Sequence, residues 1–197
     1  TVIDSVMQIE NLIESDPIIK KNLIKKHEKL LKFNKIILIT IHRRENWGKN
    51  IHNMLKAFKS LASNHNDYSF ILSSHPNPKL KKSIKKILGD HNNVFILEPQ
   101  NYINFIFLMK SSHVIFTDSG GIQEEATAIN KKVYVLRDST ERPEALDTGL
   151  VQVIGTKEEA IKESLDNISP PSLQVLYPFG NGDASKKIVT IIKKDEY

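Results

Sequence analysis

Six short runs of mostly Val, Ile, Leu and Phe, at 36–41, 70–73, 94–97, 114–117, 133–136 and 151–154, alternate with longer stretches whose apolar residues recur every three or four positions. The two patterns make different physical demands. An apolar run without polar alternation has to be covered on both faces, and an amphipathic helix can supply that cover along one stripe. Repeated strand–helix alternation therefore predicts a parallel sheet with helices on both faces, a doubly wound, Rossmann-like α/β fold. Helices are expected at 2–15, 18–32, 51–64, 79–88, 102–110, 122–129, 142–146, 157–168 and 183–193. Gly89, Pro99 and Gly149 punctuate the pattern where one element gives way to the next. A chain of 197 residues fills one core of ordinary size, and residues 1–197 are read as a single domain.

Composition removes several classes of function. With no cysteine, disulfides, thiolate nucleophiles and Cys-ligated metal are excluded. No apolar run has the length of a membrane span and no signal-peptide pattern opens the chain, so cytoplasmic residence without membrane contact is the default expectation. The chain begins at Thr1 rather than Met, as a fragment or a processed product does. The 28 Lys and Arg against 23 Asp and Glu raise the question of nucleic acid. Their placement answers it: lysines crowd 20–35 and 79–86 on the polar sides of helical patterns, with no aromatic residues interleaved for base stacking. No nucleic-acid partner is expected, whereas small anionic ligands suit the charge.

In doubly wound sheets ligands bind beyond the carboxyl ends of the strands. Polar and ionisable residues cluster there in this chain: His42-Arg43-Arg44-Glu45-Asn46, His75-Pro76-Asn77-Pro78, Glu98-Pro99-Gln100-Asn101, Asp118-Ser119-Gly120-Gly121 and Arg137 through Glu144. The fourth cluster is the most informative. Strand, tight turn and helix start would put the backbone N–H groups of Ser119, Gly120 and Gly121 where helical donors lack partners and the dipole favours an anion. Two glycines permit a sharp turn and close ligand approach, and Glu124 and Glu125, expected in the first helical turn, can accept hydrogen bonds from a sugar diol. The plainer reading of the same residues is a Ser cap, turn glycines and dipole-complementing glutamates. Phosphate loops, dinucleotide fingerprints, zinc-protease helices and nucleophile elbows are all missing. A serine nucleophile at Ser119 would need a base, and nothing in the order of residues brings His42 or His113 to it. The seven histidines show no metal-ligand spacing, and neither metal nor cofactor is expected.

These segments, together with Pro178-Phe179-Gly180-Asn181-Gly182-Asp183-Ala184, resemble the C-terminal half of the non-hydrolysing UDP-N-acetylglucosamine 2-epimerases, in family order over nearly the whole chain. The combination of His-Arg-Arg-Glu-Asn, Asp-Ser-Gly-Gly-Ile-Gln-Glu-Glu-Ala and Arg-Asp-x-Thr-Glu-Arg-Pro-Glu carries the resemblance. It implies one of the two Rossmann-like domains of a GT-B-type arrangement, and inversion at C2 of a UDP-sugar by elimination and re-addition of UDP. It also implies roles. Ser119, Gly120 and Gly121 would hold the diphosphate, Glu125 the ribose hydroxyls, Gln100 and the backbone around Phe105 the uracil, with Arg142 lining the nucleotide site. His42, the catalytic candidate, would face the diphosphate and glycosidic oxygen, while Arg43 and His75 match positions that contact an allosteric UDP-GlcNAc in some relatives. The full-length family protein is expected to be a homodimer.

Length sets the resemblance at half. The N-terminal domain, which carries the carboxylates proposed to move the C2 proton, is expected to be absent from this chain, leaving a UDP-binding half that binds UDP and does not epimerise alone. A non-catalytic nucleotide-binding remnant and an epimerase of a related UDP-2-acetamido sugar are the alternatives. The last helix, which in the family crosses back toward the first domain, is expected to leave Ile188, Ile191 and Ile192 underused.

Overall fold

A computed structural model describes residues 1–73, 77–89, 91–166, 168 and 177–195. The chain runs α1 (Val2–Ser15), α2 (Pro17–Leu31), β1 (Lys35–Thr40), a single 3₁₀ turn (Arg44–Asn46), α3 (Lys49–Asn64), β2 (Tyr68–Ser73), α4 (Pro78–Leu88) and β3 (Val94–Leu97). It continues through α5 (Tyr102–Ser111), β4 (Val114–Thr117), α6 (Gly120–Ala128), β5 (Lys132–Val135), α7 (Pro143–Leu146), β6 (Val151–Val153), α8 (Glu158–Asp166) and α9 (Ala184–Asp195). The six strands form one sheet in the order β3-β2-β1-β4-β5-β6, and every pairing is parallel. The expected doubly wound fold is present.

The apolar runs work as strands because alternate side chains go to opposite faces. In β1, Ile36 and Leu38 join the layer formed with α1, α2, α5 and α6, while Ile37 and Ile39 join the layer formed with α3, α4 and α8. Two cores result, one on each face of the sheet. Local signals set the helix ends: Asp16 accepts from the N–H groups of Ile18 and Ile19 at 2.8 and 3.0 Å, and Pro17 opens α2 without a donor to satisfy. Gly149 turns the chain at φ +69°, a conformation in which a side chain is strained. On α4, Lys82, Lys85 and Lys86 are exposed and Ile84 and Leu88 are buried, as a solvated helix face requires.

The strand order reverses direction between β1 and β4, so the loops leaving these two strands diverge and open a crevice. Register aligns their ends: Thr40 pairs with Thr117, and their hydroxyls are 2.6 Å apart. His42 to Asn46 and Asp118 to Gly121 therefore emerge side by side. Among the described residues, no helix is long and apolar enough to cross a membrane.

Candidate nucleotide site at the β1–β4 switch point

Asp118, fully buried at the end of β4, ties the two loops together. Its carboxylate accepts from the backbone N–H groups of His42 (3.1 Å) and Arg43 (2.9 Å) and from Asn46 Nδ2 (2.9 Å). His42 Nδ1 lies 3.3 Å from Asp118 Oδ1. At that distance the ring lies beside the carboxylate without a hydrogen bond to it, and the imidazole is partly exposed to solvent. Sequence order gave no reason to bring His42 to the Asp-Ser pair; the parallel pairing of β1 with β4 does so. It is Asp118, not Ser119, that the imidazole lies beside. Asp118 is the residue that the sequence reading missed, and its signal was its place immediately after a buried strand at the switch point. His113, by contrast, immediately precedes β4, and its N–H donates to the carbonyl of Ile36 at the far end of the sheet.

The helix after this turn begins at Gly120, two residues earlier than expected. Glu124 and Glu125 consequently lie in its second turn rather than its first. Ser119 occupies the N-cap position without a capping side-chain bond, so the expectation of a Ser cap is corrected; its N–H instead donates to Thr117 Oγ1 at 3.0 Å. Neither Gly120 nor Gly121 adopts positive φ, so the turn does not need glycine for its backbone. What glycine provides is space: a Cβ on Gly121 would meet only Ser119 Oγ at 4.0 Å, and one on Gly120 would lie 3.6 Å from Glu141 Oε2 and 3.9 Å from Arg142 Nη2. The first N–H groups of α6 have no helical partner; Gly120 is buried and Gly121 is exposed, so an anion would approach from the Gly121 side.

Glu141 and Arg142 stand beside that helix start, and Arg43 and Arg137 pair with Glu141. Glu141 accepts from both terminal nitrogens of Arg43 (3.2 and 3.0 Å) and from Arg137 Nη2 (3.0 Å). These bonds, Arg137's first, hold its carboxyl down at about 2. Arg137 also donates Nε to Glu45 at 3.0 Å. Arg142 is positioned by Thr140, whose hydroxyl accepts the Arg142 N–H at 3.1 Å and donates to Gln123 Oε1 at 2.6 Å. Its guanidinium pairs with Glu124 through Nε. The two adjacent glutamates are thereby separated in role, since Glu124 is occupied by Arg142 while Glu125 accepts from the Tyr102 hydroxyl at 3.0 Å. Burial, more than the neighbouring Glu124, raises the Glu125 pKa.

Gln100 donates its amide to the carbonyl of Glu98 at 2.6 Å. Phe105 is half-buried against the core on the α5 side, and its N–H is committed to the Asn101 carbonyl at 3.0 Å. His75 falls outside the described residues.

A profile of the UDP-N-acetylglucosamine 2-epimerase family matches residues 1–193. A curated relative from Neisseria meningitidis serogroup A, named UDP-N-acetylglucosamine 2-epimerase, is 41% identical over 202 aligned positions that take in 99% of this chain and 54% of its own length. The crystal structure of the Neisseria meningitidis enzyme bound to UDP-GlcNAc superposes with a TM-score of 0.88 at 38% identity, covering 98% of this chain and 53% of that one. The Methanocaldococcus jannaschii enzyme in complex with UDP-GlcNAc and UDP gives 0.82 at 28% identity, with 98% and 53% covered. A glycosyltransferase involved in lipopolysaccharide biosynthesis, 17% identical with a TM-score of 0.56 over 76% of this chain and 41% of its own, shares the fold alone. The chain spans about half the length of the curated relatives it matches. From its two loops tied at Asp118 to its open glycine helix start, this chain belongs to the UDP-N-acetylglucosamine 2-epimerase family.

Proposed function

We propose that this chain is the UDP-binding half of an epimerase that interconverts UDP-GlcNAc and UDP-ManNAc. The observation that carries the reading is the open start of α6, flanked by His42 and Arg142 and followed one turn later by Glu125. In the family reaction the anomeric C–O bond breaks and its electron pair leaves with UDP. The C2 proton is lost and C1 and C2 become doubly bonded; UDP then adds back to C1 as a proton is delivered to the opposite face of C2, which inverts that centre. Negative charge therefore grows on the departing diphosphate, where preorganised donors lower the barrier. The N–H groups of Gly120 and Gly121 and the positive end of the α6 dipole supply that field, and His42, held at the rim by its backbone N–H to Asp118, offers its imidazole toward the leaving oxygen. Movement of the C2 proton is assigned to the family's N-terminal domain. Cytoplasmic residence and a homodimeric full-length protein belong to the same reading through the resemblance.

Calorimetry on the 197-residue chain tests it. UDP is expected to bind, and Glu125→Ala to weaken binding about tenfold, as loss of a charge-assisted hydrogen bond does. No UDP binding, or unchanged affinity in that variant, would sink the site. Formation of UDP-ManNAc by this polypeptide alone would overturn the division of labour between the two halves.

A further inference from the structure

Tyr102 opens α5 and Glu125 lies midway along α6; their side chains meet at the mouth of a cavity of about 450 Å³ whose other wall is α1, through Val2, Ser5, Gln8 and Ile9. The Tyr102 hydroxyl donates to Glu125 Oε1, while Oε2 has no hydrogen-bond partner among the described residues. Burial first, and then the Glu125 charge, raise the Tyr102 pKa, so the phenol keeps its proton at neutral pH and remains a donor. Gln8, exposed on α1, likewise has no hydrogen-bond partner among the described residues.

A carboxylate with one oxygen already held has lost most of its rotamer freedom before a ligand arrives, which lowers the cost of ordering it on binding. What remains is one free oxygen and the second lone pair of the held one, a matched pair of acceptors for two adjacent hydroxyls. A sugar lacking one hydroxyl leaves part of a half-buried carboxylate unsatisfied, and such sites discriminate strongly against the analogue that lacks the donor. We propose that Tyr102 is a positioning residue that presets Glu125 for a vicinal diol, so that the cavity between α1, α5 and α6 selects ribonucleotides over 2′-deoxyribonucleotides, with Gln8 as a further contact from α1. The proposal rests on the reading of Glu125 as the ribose-binding group.

The test is calorimetric titration of the 197-residue chain with UDP, 2′-deoxy-UDP and pyrophosphate. The wild-type chain is expected to prefer UDP over the deoxy analogue by about tenfold or more. Tyr102→Phe, which removes one oxygen and keeps the ring, is expected to bring that ratio to within about threefold while leaving pyrophosphate affinity unchanged. Retention of the full ratio in Tyr102→Phe, with the ratio lost in Glu125→Ala, overturns the positioning role and leaves the ribose reading standing. Absence of UDP binding in the wild type, or full UDP affinity in Glu125→Ala, overturns both. If the thermal midpoint of Tyr102→Phe falls, the exposed Gln8→Ala carries the test: a drop of about threefold for UDP with pyrophosphate unchanged supports the proposal, and unchanged UDP affinity overturns it.

Discussion

Asp118 is the residue on which the rim depends, because it satisfies three donors that would otherwise be stranded at the end of a buried strand. Replacing it with Ala leaves the N–H groups of His42 and Arg43 and the Asn46 amide without their acceptor, at about 1–3 kcal/mol for each group that water does not reach. Urea denaturation of Asp118→Ala should show that loss. Glu141 makes a prediction in pH. Its folded-state pKa of about 2 lies below its ordinary value of 4.5, so between these values the unfolded chain binds the proton that the folded chain does not. The stability it contributes is complete above about pH 4.5 and fades as pH falls toward 2. Glu141→Gln should flatten the acid limb of a stability profile in that window. A limb of unchanged slope would show that the pairs with Arg43 and Arg137 contribute nothing.

At the scale of the element, α6 separates a structural from a functional use of its glycines. A Cβ at Gly121 meets ordinary space and the backbone is not in the left-handed region, so Gly121→Ala should leave stability unchanged or raise it by up to about 1 kcal/mol. UDP affinity should fall in the same variant, because the added methyl stands beside the N–H groups that a phosphate would approach. Thermal melting and calorimetry on one sample distinguish the two. A variant with lower stability and unaltered UDP binding would return α6 to a purely structural role. The two-residue shift in where α6 begins has the same origin: helical periodicity is visible only from Ile122 onward, since glycines carry no side chain to show it.

Across the whole molecule, stability is concentrated in the two layers flanking the sheet. Phe58 and Phe116 are fully buried and meet edge to face at 5.2 Å, so Phe116→Ala should cost about 3–5 kcal/mol. The last helix is different. Its start is tied to α1 by the Ser185 N–H, which donates to Asp4 at 2.8 Å, yet Ile188, Val189, Ile191 and Ile192 remain about half exposed, as expected for this segment. Ile191→Ser should therefore change the stability of this chain by no more than about 0.5 kcal/mol. Denaturation midpoints of the two variants compare these expectations directly; a large loss in Ile191→Ser would mean that α9 is part of the cooperative core.

The amino-acid sequence alone determined the class of fold, because six continuous apolar runs separated by helical patterns have one way to be covered, and it determined which loops lie at the ligand-binding end, because strand direction follows from parallel crossover. It also marked Ser119 to Gly121 and Glu125, whose residue types match anion and diol chemistry. It did not reveal who meets whom on that rim. Asp118 reaching His42, Glu141 bridging Arg43 and Arg137, and Tyr102 holding Glu125 while Arg142 takes Glu124 are contacts between segments far apart in the chain. Only the order of strands in the sheet brings them together, since local propensity acts over a few residues and a hydrogen bond between loops is set by the register of the strands beneath them.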